Sequence, residues 1–143
     1  MQKTPNLIRH IDEALESAKK NNRPPNVVDL FCQLLKEDKF QKLLARFGLN
    51  SEALVISLSE RLSEVFPQVF EDCEIEYNQI LAEAQESADD LGYGYFDTEH
   101  LFHEILNSSS TIRSFFAIHE IPVDDILKRT EDMVVLKESA VEN

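Results

Sequence analysis

Apolar side chains recur along this chain at intervals of three and four residues, the spacing of one face of an α-helix. Leu7, Ile8, Ile11, Ala14, Leu15 and Ala18 form the first such face. Thr4-Pro5 opens it: threonine caps, and proline at the first helical position lacks the N–H that would otherwise go unpaired. Lys19-Lys20 suit the negative end of the helix dipole. Asn21-Asn22-Arg23-Pro24-Pro25 breaks the run, because proline pushes its predecessor out of helical geometry. Asn26 caps a short helix carrying Val27, Leu30, Phe31, Leu34 and Leu35, and Lys36-Glu37-Asp38 turns a corner. Phe40, Leu43, Leu44 and Phe47 follow, closed by Gly48; Asn50 or Ser51 then starts a helix with Leu54, Val55, Leu58 and Leu62.

Residues 66–73, which include Pro67, read as a connection between two halves. The plan then repeats. Ile75, Ile80, Leu81, Ala84, Ala88 and Leu91 give a long helix, clearest from Tyr77 to Asp90. After a turn containing Gly92 and Gly94, Asp97 or Thr98 caps a helix over Thr98 to Asn107 whose apolar positions are Leu101, Phe102, Ile105 and Leu106. Ser108 to Ser110 make the next corner. Ile112, Phe115, Phe116 and Ile118 form a short helix, and Ile126, Leu127 and Val134 run down the last one after Pro122. Lys137 to Asn143 read as a polar, frayed tail or linker stub. Overlaid, Leu30-Phe31 matches Leu101-Phe102, Leu34-Leu35 matches Ile105-Leu106, Leu43-Leu44 matches Phe115-Phe116, Leu49 matches Ile121 and Leu54 matches Ile126. The expected fold is all-α, with eight helices in two pseudo-twofold-related repeats of four, over about 4–65 and 74–136. One such unit has a marginal core, and two packed together bury more apolar surface.

Composition narrows the partners. The formal net charge is −13, from 14 basic and 27 acidic residues. That charge repels phosphate backbones and anionic lipid, so neither nucleic acid nor a membrane is an expected partner, whereas a basic protein partner is compatible. There is no apolar run long enough for a membrane span and no signal-peptide core at the N-terminus, which points to the cytoplasm. The two cysteines, Cys32 and Cys73, lack metal or disulfide spacing. Cys32 is expected in the core, Cys73 exposed in the connection.

The pattern Ala84-x-x-x-Ala88-x-x-x-Gly92, an aromatic at Phe96, then Thr98-Glu99-His100-Leu101 and a pair of short helices resembles the N-terminal domain of the Clp ATPases, bacterial ring unfoldases. The resemblance runs over about residues 4 to 136. It implies a non-catalytic module without a cofactor, which docks adaptor or substrate proteins for an attached ATPase ring. No G-x-x-x-x-G-K-[ST] phosphate loop occurs, so these residues do not hydrolyse ATP by that machinery. The alternative is a freestanding relative that binds and modulates a Clp ATPase or peptidase.

The resemblance also implies where partners bind. Some relatives recognise phosphoarginine through the glutamate of Thr-Glu-His and a Thr-Pro at the start of a long helix. Carried over, the candidate protein- or peptide-binding residues are Thr4, Pro5, Glu74, Glu76, Thr98, Glu99 and His100. Val28 replaces the glutamate in the first repeat, and Glu74-Ile75-Glu76 replaces Thr-Pro in the second, so neither half is expected to hold a complete phosphoarginine site.

Catalytic chemistry has little to stand on. His100 and His103 lie at i, i+3 on one helix, a spacing that can share a metal and that a small metal-dependent hydrolase would need. The order is not H-E-x-x-H, and the plainer expectation is that His100 bonds locally at the helix start while His103 faces solvent. His10 and His119 stand alone. No serine or cysteine sits in a nucleophile motif. The chain reads as a binding module, not an enzyme.

Overall fold

Thr4 sets the direction of the first helix. Its Oγ1 accepts from the Leu7 N–H at 3.2 Å, and Pro5 takes the first helical position. The computed structural model describes residues 2–65 and 70–142, with side chains over 2–64 and 72–134. In chain order the helices are α1 (Pro5–Lys20), α2 (Val27–Leu34), α3 (Asp38–Ala45), α4 (Ser51–Val65), α5 (Phe70–Asp90), α6 (Thr98–Ser108), α7 (Ser110–Ile118) and α8 (Val123–Glu142). The caps follow the residue types. Asn26 accepts from Asp29 N at 2.8 Å, Asn50 from Ala53 N at 3.0 Å, and Ser109 from Ile112 N at 3.1 Å. Asp97 accepts from Thr98 N at 2.7 Å, and the His100 ring reciprocates by accepting the Asp97 N–H at 3.0 Å.

Four chain reversals share one backbone device. At the ends of α1, α5, α3 and α7 the chain passes through a left-handed residue: Asn22 (φ 56), Gly92 (φ 85), Gly48 (φ 73) and Glu120 (φ 55). Just beyond each, an N–H reaches back to the helix: Arg23 to Ala18 O at 2.8 Å, Tyr93 to Ala88 O at 3.1 Å, Leu49 to Leu44 O at 3.1 Å and Ile121 to Phe116 O at 2.8 Å. These are Schellman bonds, which satisfy carbonyls orphaned at a helix end. Asn22 does what glycine does at 92; asparagine tolerates the left-handed region because its short polar side chain bonds locally.

The aligned positions of the sequence are buried in both halves, with Leu49 and Ile121 half-buried. They belong to one contiguous core centred on a file of rings. Phe40 stacks on Phe102 with centroids 4.1 Å apart, Phe102 stacks on Phe31 at 5.3 Å, and Phe116 meets Phe31 edge-on at 6.1 Å. The file alternates between rings from before and after the 66–69 segment, so neither half has a separate aromatic centre.

Several expectations are corrected. The connection does not extend to residue 73: α5 already begins at Phe70, and the part of it over 66–69 lies outside the described residues. Cys73 is consequently buried, because it and Tyr77 take the inward positions of α5 and leave Ile75 62% exposed. Burial pushes the Cys73 thiol up, and pushes Cys32, half-buried against the core, up to about 12; both remain neutral thiols. On α1 the buried line is Leu7, His10, Ala14 and Ala18, with Ile8 and Leu15 on its exposed shoulder. The last helix continues through Lys137 to Glu142. A two-residue parallel bridge, β1 (Gln2–Lys3) with β2 (Tyr95–Phe96), was not legible because two residues cannot display an alternating pattern.

Candidate functional site

Three helix starts converge where β1 lies against β2. The register Lys3 to Phe96 continues as Thr4 N–H to Phe96 O at 3.0 Å, which brings the start of α1 against the start of α6. There Thr4 Oγ1 donates to Asp97 Oδ1 at 2.7 Å. From α3, Lys39 extends its ammonium into the same junction. It donates to Glu99 Oε1 at 2.7 Å and to Thr98 Oγ1 at 2.8 Å, and lies 3.2 Å from Glu37 Oε2. Glu37 Oε1 in turn accepts from Asn6 Nδ2 and from the buried His10 Nε2, the latter at 2.8 Å. The positive ends of three helix dipoles favour these carboxylates. Burial by itself raises the Glu37 carboxyl; the bonds from Asn6, His10 and Lys39 together outweigh it and hold the group below its ordinary range.

Thr4, Pro5, Thr98, Glu99 and His100 therefore meet at one junction, from opposite halves of the chain. Thr4-Pro5 and Glu99, assigned in the sequence to different halves, are thus neighbours in space. Glu74 and Glu76 are elsewhere. Both lie inside α5, not at its start; Glu74 is exposed, while Glu76 Oε2 accepts from Ser110 Oγ at 2.9 Å and Thr111 N at 3.2 Å at the start of α7. Lys39, Glu37, Asn6 and His10 were missed. They are distant in sequence from Glu99 and carry no motif; Asn6 and His10 reach the junction on α1, and Glu37 and Lys39 at the start of α3, so only the tertiary arrangement of those helices brings them there.

The histidines do not converge. His100 is buried in the capping box with Tyr93 against its ring at 4.4 Å. His103, expected in solvent, is half-buried on Thr130 Oγ1 at 2.8 Å. Thr130 donates its hydroxyl proton to Leu127 O, so His103 Nδ1 carries the proton between them. Burial holds the His103 imidazole below its ordinary value, against a smaller opposing effect of Glu131. Among the described residues no group of three or more His, Cys, Asp or Glu is placed to hold a metal ion, and no helix is long and apolar enough to cross a membrane.

Glu104, the neighbour of His103, gives a pH signature. It is buried on α6 with Ser108 Oγ donating to it at 2.8 Å. Burial first, and the nearby Glu83 second, raise its carboxyl above the ordinary 4.5. The folded chain thus keeps this proton to higher pH than the unfolded chain, and stability falls as pH rises from about 4.5 through the raised folded value. Glu104→Gln keeps the Ser108 contact and removes the ionisation. In urea titrations it should be more stable than the parent at pH 7, with the gain fading as pH falls towards 4.

Compared with protein-family models, curated proteins and solved structures, the chain matches none of them.

Proposed function

We propose that this chain is a non-catalytic protein-docking module of the kind carried by Clp-type unfoldases, built from two repeats of four helices. The observation that carries the reading is the recurrence of one backbone plan. The left-handed residues Asn22 and Gly48 recur as Gly92 and Glu120, each with the same return hydrogen bond, before and after the pair Leu30-Phe31 that matches Leu101-Phe102. The inward line of α1, Leu7-His10-Ala14-Ala18, likewise recurs on α5 as Tyr77-Ile80-Ala84-Ala88. Even the contact after the first and fifth helices recurs with different chemistry: Arg23 on Asp29 in one half, Tyr93 on His100 in the other. The Thr-Glu-His-Leu stretch, part of the pattern that carries the resemblance, shares one junction with Thr4-Pro5.

A ring fusion tests it. The chain is placed ahead of a Clp ATPase ring from the same cell whose own N-terminal domain has been deleted, and adaptor-dependent substrate unfolding is followed. The module reading expects unfolding to return in cis and the separate chain to leave the ring unaffected. Co-sedimentation of the separate chain with the intact ring, with a changed unfolding rate, favours the freestanding accessory reading instead. Neither effect overturns both.

A further inference from the structure

The second place where a helix start meets the opposite half is built differently. Val28, at the start of α2, stands where Glu99 stands at the start of α6, and it floors an apolar cleft of about 370 Å³. Leu58 and Leu62 of α4, Cys73 of α5, and Phe115 and Ile118 of α7 form the walls. Among the described residues at the rim, Ile118 is 65% exposed. At this size the cleft is at the lower end of ligand pockets, roughly 300–1,000 Å³, which suits one or two side chains. Beside it runs a second depression of about 400 Å³, where the carboxylates of Asp72, Glu76 and Glu83 on α5 stand among Ile75, Gln79 and Ile80 and face Ser108 and Ser110. The two share Asp72, Glu76 and Ser110 as a common lip, and Glu76 is fixed across that lip by Ser110 Oγ and Thr111 N. Among the described residues lining either depression, Arg61 at the far side of the apolar cleft is the one cation, within 3.8 Å of Glu64.

Apolar cleft and acidic trough together specify a partner. We propose that this surface docks an unstructured peptide segment with one large aliphatic anchor followed by lysine or arginine. The anchor enters between Leu62 and Phe115, and the cations lie over Asp72, Glu76 and Glu83. At about 1.5 Å of rise per helical residue these carboxylates span about 16 Å. About five residues of extended chain cover that distance, so the cations follow the anchor within about five positions. A dianionic or acidic segment is excluded by the same carboxylates, and the −13 charge of the chain steers cationic segments toward it. The inference deepens the docking reading above and rests on it only for biological context.

The probe is an acetylated, amidated heptapeptide of serine and glycine carrying one leucine, with lysine two and four positions after it. It is titrated at 50 mM salt while the methyl resonances of the protein are followed. Saturable shifts should centre on Leu58, Leu62 and Ile118. Replacing the peptide leucine by serine, or both lysines by glutamate, should weaken binding at least tenfold. Ile118→Lys, at an exposed position, should do the same, and Asp72→Lys should weaken the lysine peptide at least fivefold while barely changing a version with both lysines replaced by glutamine. Because both substitutions are on the surface, circular dichroism should show the helices retained. No saturation up to millimolar peptide, shifts centred away from the cleft, or equal binding of the glutamate peptide overturns the proposal. Peptide binding with neither a working ring fusion nor co-sedimentation removes the Clp reading and keeps the cleft; the converse removes the cleft and keeps the reading.

Discussion

Phe102→Ala should lower the free energy of unfolding by about 3–5 kcal/mol, the range for emptying a ring-sized site in a packed core. Phe102 has no exposed surface and lies between two near-parallel rings, Phe40 at 4.1 Å and Phe31 at 5.3 Å. Its removal forfeits transfer energy and leaves a cavity whose neighbours are themselves rigid rings, which limits collapse. Because Phe40 and Phe31 belong to the first half of the chain and Phe102 to the second, the loss falls on the contact between halves. Denaturant unfolding should therefore remain a single transition at a lower midpoint. A loss below about 1 kcal/mol would mean that the site is solvated, since changes of that size are typical of surface positions. Phe102→Leu, closer in volume, should recover part of the loss.

Arg23→Ala should cost roughly 3 kcal/mol, for an electrostatic reason. The guanidinium reaches Asp29 through two bonds, Nη2 to Oδ1 at 2.8 Å and Nε to Oδ2 at 3.3 Å, and the Asp29 side chain is 9% exposed. Deleting arginine leaves a nearly buried carboxylate with Asn26 Nδ2 as its remaining hydrogen-bond donor from a side chain, at 2.7 Å. A buried pair broken on one side costs far more than its net contribution when intact, because the surviving charge keeps its desolvation penalty. Two further variants separate this from lost packing. Arg23→Lys retains charge without the two-bonded geometry and should fall in between. Adding Asp29→Asn to Arg23→Ala should restore part of the stability, a coupling that a double-mutant cycle measures directly. If Arg23→Ala costs under 1 kcal/mol, the pair behaves as a solvated surface bridge.

Both sites show where local pattern stops. Phe102 was recognisable as core from Leu101, Phe102, Ile105 and Leu106 alone, because a helix translates sequence spacing into a face without reference to anything else. The caps at Thr4, Asn26 and Asp97 were legible for the same reason: a capping side chain bonds to a backbone group within three residues of itself. Arg23, by contrast, sits in a stretch that reads only as a helix break, and nothing within it announces an ion pair.

The candidate site divides in the same way. Thr98-Glu99-His100 and Thr4-Pro5 stand out in the sequence, yet their meeting depends on β1, two residues long, and on α3 carrying Lys39 to within 2.7 Å of Glu99. The acidic and apolar surfaces of α5 were misplaced because Cys73 was read as lying outside the helix; with α5 running from Phe70, Cys73 and Tyr77 share one face and Ile75 the opposite one, and packing on the core took the first. The sequence by itself determined that the chain is helical, the starts capped by Thr4, Asn26 and Asp97, and the apolar positions at the centre of each buried face, because those follow from interactions a few residues long. Which faces met, which charges paired and which apolar residues stayed outside were decided by tertiary packing, where partners distant in the chain compete for a limited interior.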